Sequence, residues 1–150
     1  MLIRGAGPDD GEAIEALHRR ASNVWDDDAA WLAGHPDAIE APSEDALRAG
    51  RVRVAVGDGG AVVGFSVVSE AREGVWELED LFAEPELMRR GVGRALVVDL
   101  AERGRAAGVR RVEVTANPHA VGFYERVGFL ATGEVVATQY KPAPRMALEL

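Results

Sequence analysis

Arg51-Val52-Arg53-Val54-Ala55-Val56 sets charged against apolar residues with a period of two, the mark of a strand with one buried face. Asp58-Gly59-Gly60 then predicts a hairpin turn, Ala61–Val68 its partner strand, and a looser turn through Arg72-Glu73-Gly74 leads to a further strand over Val75–Ala83. These segments form an antiparallel meander. Upstream, Met1–Arg4 reads as a short strand, and Pro8-Asp9-Asp10 starts a helix whose apolar face is Ala13, Ile14, Leu17 and Ala21. A second helix is predicted over Asp28–Gly34, ending near His35-Pro36, and Ser43 caps a short helix that Gly50 stops. Downstream, the spacing Val92, Ala95/Leu96, Leu100 marks an amphipathic helix closing near Gly108, and Arg110–Thr115 returns as a strand. A crossover through a helix makes the strands Val75–Ala83 and Arg110–Thr115 parallel neighbours. Asn117-Pro118 is an N-cap followed by proline at the first helical position, opening a helix through Val127 that Gly128 terminates. Phe129–Thr138 and Arg145–Leu150 are the last strands, separated by the Pro142/Pro144 loop.

This element order predicts an α+β, three-layer fold: a mixed, mostly antiparallel central sheet of about seven strands with helices on both faces. With 150 residues the expectation is one domain spanning residues 1–150, large enough to bury a core without disulfides or metal. Hydrophobic residues make up 47% and charged residues 28%, which fits neither a disordered nor a fibrous chain. The absence of cysteine removes disulfide frameworks, thiol nucleophiles and cysteine-ligated metals. The N-terminus lacks the charged-then-apolar run of a signal peptide, and no stretch approaches the roughly 18 apolar residues of a membrane span. The expectation is a cytoplasmic protein that engages no membrane. A net charge of −8 disfavours nucleic acid and favours cationic partners. A homodimer is left open.

The segment Phe82–Leu96 changes the picture from fold to chemistry, because a strand runs into a glycine-and-arginine turn that opens a helix. Glycines admit a ligand close to the backbone, the first helical N–H groups point outward, and the helix dipole adds partial positive charge. Arg89, Arg90 and Arg94 supply full charges suited to phosphate oxygens. A Walker A loop is excluded, since Gly93 is followed by Arg94 and Ala95 rather than Lys-Ser/Thr. A dinucleotide fingerprint needs a small residue where Leu96 stands and an early βαβ context.

That turn, Arg89-Arg90-Gly91-Val92-Gly93-Arg94, together with Asn117-Pro118-His119-Ala120-Val121-Gly122-Phe123-Tyr124-Glu125-Arg126-Val127-Gly128-Phe129, resembles the GNAT superfamily of acyl-CoA-dependent N-acyltransferases. The resemblance spans essentially the whole chain and is strongest from Leu78 to Phe129. In that family the turn follows Gln/Arg-x-x-Gly-x-Gly/Ala and binds the coenzyme A pyrophosphate. Gly91 and Gly93 match the glycines, while Met88 at the first position removes one side-chain contact. The resemblance further implies that the backbone of Leu81, Phe82 and Ala83 holds the pantetheine arm, that Val92 lies within the phosphate turn, that Asn117 contacts the coenzyme and that Tyr124 is the general acid. Acetyl-CoA is then the acyl-donor cosubstrate. No metal is implied, and His18, His35 and His119, without ligand-like spacing, read as surface or capping residues.

The chemistry ranks what such a site must supply. A thiol of pKa about 8.5 leaves readily, whereas an alkyl ammonium of pKa about 10.4 is neutral in only about one molecule in 2,500 at pH 7, a cost of roughly 4.6 kcal/mol. Deprotonating the acceptor amine is the harder task, and the strand Glu77-Leu78-Glu79-Asp80 offers carboxylates for it. By alternation Glu77, Glu79 and Leu81 share one face, with Leu78, Asp80 and Phe82 on the other; a bulge would change that phase. Glu79 is preferred over Glu77 and over Glu113 on the neighbouring strand, because it is nearer the strand end. Tyr124 lies one turn beyond Ala120 and two beyond Asn117; its alternative role is a core aromatic beside Phe123 and Phe129. Asn117 is equally suited to capping a helix. For the acceptor, a small-molecule or peptide amine, the resemblance points to the first two helices, where Trp25, Asp26, Asp27, Asp28 and Trp31 favour a cation. The bland alternative is a solvated helix start with tryptophans in the core. Two other functions stay open at this point: a non-catalytic acyl-CoA-binding regulatory module, and a nucleotide-binding regulator.

Overall fold

Strand and helix propensities alternate along the chain, and the computed structural model, which describes residues 1–150, contains the predicted elements with several shifted ends. They are β1 (Leu2–Gly5), α1 (Gly11–Ser22), α2 (Asp26–Gly34), α3 (Glu44–Arg48), β2 (Val52–Val56), β3 (Val62–Arg72), β4 (Val75–Ala83), α4 (Val92–Ala106), β5 (Arg111–Thr115), α5 (Val121–Arg126), β6 (Leu130–Val136) and β7 (Ala143–Glu149). The strands form one seven-stranded mixed sheet in the order β1-β2-β3-β4-β5-β7-β6. β4 and β5 pair in parallel, as a crossover through α4 requires, while β1–β2, β2–β3, β5–β7 and β6–β7 are antiparallel. No helix is long and apolar enough to cross a membrane. The chain divides into two compact units, Met1–Val67 with Asp80–Leu96 and Val68–Glu79 with Val97–Leu150.

In the first unit, the alternation of β2 sends its residues to two cores. Val52 and Val54 pack with Phe65, Val67 and the Ile14/Leu17 stripe of α1, whereas Ala55 packs with Val92 and Leu96 of α4. Helices therefore cover both faces of these strands. The start of α1 is fixed by Asp10, which accepts two bonds from Arg4 (2.8 and 3.1 Å) and one from the Gly7 N–H (2.7 Å). Ser43 caps α3 through its Oγ, which accepts from the Ala46 N–H at 3.1 Å. His18 departs from the surface or capping role predicted for it. Its ring lies tilted against Phe82, with centroids 4.2 Å apart, and 5.7 Å from Phe65.

At Gly64 the β3 backbone lies close against α4. A Cβ there would lie 2.6 Å from Val92 Cγ1, 3.0 Å from Leu96 Cδ1 and 3.2 Å from the Phe82 carbonyl oxygen. Gly64→Val is therefore expected to cost about 1–3 kcal/mol through overpacking and to lower the thermal midpoint followed by circular dichroism. An unchanged midpoint would mean that α4 backs away freely.

In the second unit, β5 lies between β4 and β7, with Val112 and Val114 buried. Trp76 of β4 lies under the Arg103 guanidinium of α4, 5.9 Å from ring centre to Cζ. Phe129 is fully buried and meets Tyr124 edge-on. The β6–β7 register breaks between Ala131 and Val135.

Among the boundaries that differ from the sequence expectation, four have a clear physical reason. β3 continues through Ser69, Glu70, Ala71 and Arg72, because a tight Glu73-Gly74 turn replaces the looser one. α2 starts at Asp26 rather than Asp28, so three aspartates occupy its first turn, where the dipole favours them. The helix expected from Asn117 opens as a 3₁₀ turn over Pro118–Ala120 before the short α5. Pro144, placed in a loop from sequence, lies within β7 opposite Val135, and its carbonyl accepts from the Ala116 N–H at 2.9 Å.

Candidate active site

The glycine-and-arginine turn follows a single 3₁₀ turn over Pro85–Leu87 and passes through two left-handed residues, Arg89 (φ +67°) and Gly91 (φ +88°). α4 begins at Val92, and its first rung is the Ala95 N–H donating to the Gly91 carbonyl at 2.9 Å. The amides of Val92 and Gly93 precede that rung and have no intrahelical acceptor. Burial of Val92 and Leu96 anchors the helix start, while Arg89, Arg90 and Arg94 stay exposed. A Cβ built on Gly91 meets nothing within 4 Å, so open space faces the backbone where phosphate would sit. The donor set and charge fit a diphosphate.

Just upstream, Glu84 is held by Arg20 of α1 in a two-point ion pair (3.1 and 2.7 Å), and its N–H donates to the Val63 carbonyl at 2.8 Å. The last β4–β5 rung is Leu78↔Val114. Leu81, Phe82 and Ala83 lie beyond it, so β5 gives their main chain no partner. Leu81 and Ala83 pack with the Ala55/Val92/Leu96 cluster, and Phe82 packs in the opposite cluster beside Phe65.

Along β4, Trp76 lies beneath the Arg103 guanidinium in the second unit, and Leu81 packs with Val92 and Leu96 in the first.

Three carboxylates of the second unit have different surroundings. Glu77 accepts from both terminal nitrogens of Arg145 (2.7 and 2.9 Å). Glu113, opposite Glu77 in register, is buried and accepts from Arg72 (3.0 and 2.9 Å), Arg111 (2.7 Å) and Arg145 (3.1 Å). Hydrogen bonding from Arg72 first, then Arg111, outweighs desolvation and lowers its pKa to about 2. Arg145 also donates to Thr115 Oγ1 at 3.0 Å. Glu79 instead is exposed and accepts from the Ser69 hydroxyl at 2.9 Å. Sequence reasoning missed the Arg72–Arg111–Arg145 cluster; the Arg111/Glu113 spacing on one strand face was its only local signal.

Tyr124 on α5 is 6% exposed, and its ring meets Phe123 at 5.3 Å and Phe129 at 5.1 Å, both edge-on. Asn117 Oδ1 accepts from the His119 N–H at 2.9 Å and so caps the turn that leads into α5. In the first unit, Trp25 is 42% exposed at the N-cap of α2, ahead of Asp26, Asp27 and Asp28. Trp31 is half-buried and stacks on the exposed His35 at 4.2 Å, so neither tryptophan belongs to the buried core.

The profile of the Acetyltransferase (GNAT) family matches residues 12–129. The chain belongs to that family. Glucosamine 6-phosphate N-acetyltransferase of Trypanosoma brucei brucei is 35% identical over 57 residues, 38% of this chain and 39% of that protein, so the chain spans about two fifths of that relative. Peptidyl-lysine N-acetyltransferase YjaB of Salmonella typhimurium is 29% identical over 148 residues, 97% of this chain and 95% of its own. The fold matches the crystal structure of a GCN5-related N-acetyltransferase (aminotransferase, class-II) from Rhodopseudomonas palustris, with a TM-score of 0.76 at 20% identity over 99% of this chain and 95% of that one. The protein is thus an N-acetyltransferase, of a family that uses acetyl-CoA; the two relatives are named for glucosamine 6-phosphate and for peptidyl-lysine.

In this GNAT acetyltransferase the arginine-held Glu113 has a consequence for acid stability. Its folded pKa lies below the ordinary 4.5, so the folded state binds fewer protons than the unfolded one between those values. The stabilisation is complete above about 4.5 and is lost as pH falls toward about 2. Thermal midpoints of the wild type should drop more steeply across that window than those of Glu113→Gln. Parallel curves would show that the arginines contribute no net stabilisation through this carboxylate.

Proposed function

We propose that the acetyl group passes in one step from acetyl-CoA to a primary amine, without an acetylated protein intermediate. The coenzyme pyrophosphate binds the Gly91/Gly93 turn with Arg89, Arg90 and Arg94, and the main chain of Leu81, Phe82 and Ala83 holds the pantetheine arm. Asn117 contributes a further coenzyme contact. Glu79 takes the proton of the acceptor, directly or through water; the amine nitrogen attacks the thioester carbonyl; and Tyr124 protonates the departing thiolate. Glu79 is favoured over Glu77 and Glu113 because both oxygens of each of those are taken up by arginine, whereas Glu79 accepts only from the Ser69 hydroxyl.

The observation that carries the reading is the Gly91 turn: left-handed backbone, open space, and helix amides ahead of the first rung. Gly91→Val is expected to weaken acetyl-CoA binding by more than about tenfold in calorimetry, since a side chain there enters the phosphate position and strains a backbone with φ +88°. Unchanged affinity in a folded variant would remove the assignment. Release of free coenzyme A thiol on mixing acetyl-CoA with an amine panel separates this enzyme from a non-catalytic acyl-CoA-binding module, which the family relationship does not favour. For the acceptor we favour a cationic amine. Trp25 is exposed beside three aspartates in a protein of net charge −8. Basic amines should outcompete anionic ones of similar size, and salt should raise their apparent KM.

A further inference from the structure

His18 is the one aromatic partner of Phe82 that carries polar atoms, and nothing in the reading above uses it. Its ring lies tilted against Phe82 (4.2 Å, 34°) and against Phe65 (5.7 Å, 55°). Neither ring nitrogen has a hydrogen-bond partner within the protein, and neither is sealed from solvent. Packing alone does not call for an imidazole here. A third phenylalanine would fill the same space among the rings without leaving polar nitrogens that no protein group engages. A nitrogen left open beside an aromatic stack has the character of a ligand contact.

The neighbourhood identifies the ligand. Phe82 lies between Leu81 and Ala83, in the strand end that β5 leaves unpaired. Given the reading that this main chain holds the pantetheine arm, the polar groups arriving beside Phe82 belong to the thioester end of the donor. We propose that His18 donates a hydrogen bond from its ring N–H to the acetyl carbonyl oxygen of acetyl-CoA, helping to stabilise the negative charge that oxygen gains on attack. Burial among the aromatic rings, with a smaller contribution from the Arg19 charge, lowers the His18 pKa to about 4, so the ring is neutral at pH 7. A neutral imidazole always keeps one N–H to donate. It also brings no charge into the aromatic cluster, whereas an imidazolium there would need a counter-ion.

The test uses acetyl-CoA labelled with ¹³C at the carbonyl, bound to the full chain. Carbonyl polarisation moves that resonance on binding. His18→Phe keeps the stack and deletes both nitrogens; His18→Gln restores an amide N–H of similar reach. The wild type is expected to show the shift, His18→Phe to lose most of it, and His18→Gln to recover part. The preference for acetyl-CoA over coenzyme A should fall by up to about tenfold in His18→Phe, the worth of one net hydrogen bond. A carbonyl resonance identical in wild type and folded His18→Phe overturns the proposal while leaving the pantetheine assignment standing. Failure of the wild type to bind acetyl-CoA at all removes the pantetheine reading and, with it, this role. If His18→Phe does not fold, a His18→Gln resonance that matches the free ligand is the overturning result.

Discussion

Tyr124→Phe is expected to lower the turnover number by about 10²-fold while leaving acetyl-CoA affinity nearly unchanged. The substitution is unusually clean, because Tyr124 is 6% exposed and its ring is held edge-on by Phe123 and Phe129. Phenylalanine keeps both ring contacts and removes only the hydroxyl, so a fall in rate without a large loss of thermal stability reports the proton rather than the packing. A thiolate is a fair leaving group unaided, which is why the expected loss is about two orders of magnitude and not more. Wild-type turnover under conditions where chemistry limits the rate would reduce Tyr124 to an aromatic wedge between α5 and the start of β6.

The second large effect is at Glu79. Glu79→Gln keeps an oxygen that can accept from the Ser69 hydroxyl and deletes the proton acceptor. Activity at pH 7 should fall by about 10²-fold, then recover in part as pH rises toward the pKa of the amine, where the acceptor deprotonates without help. Loss by the same factor at every pH would point to positioning instead. Glu77→Gln is the informative contrast. Glu77 takes both terminal nitrogens of Arg145, so its amide variant leaves a partly buried guanidinium with a weaker partner. Its main cost should appear in thermal stability, with the shape of the pH–rate profile preserved.

Local patterns were legible in the chain wherever one residue type sets one local geometry. Val75–Ala83 was readable to the residue, and the parallel β4–β5 pairing followed from the helix between them. The left-handed turn before α4 was written in Arg-Arg-Gly-Val-Gly. The outer half of β3 escaped notice because Glu70, Ala71 and Arg72 are exposed and carry no alternation. The arginine cluster escaped for a different reason: Arg72 and Arg145 lie 41 and 32 residues from Glu113 in sequence, and only the sheet brings them together. His18 had a signal that residue type concealed, since it stands one helical turn after Ile14 and adjoins Leu17, both buried.

The interrupted pairing of β6 bears on how the protein behaves when crowded with copies of itself. As the last strand in the order, β6 turns a row of main-chain donors and acceptors outward, and Leu130 and Val135 are 75% and 65% exposed along it. An unbroken edge of that kind is a template on which another chain can add as an extra strand. The register break between Ala131 and Val135, with the charged Glu134 inside it, cuts the edge into two short runs. Each run pairs with β7 through only two register positions, and an edge cut into runs that short is a poor template for an added strand.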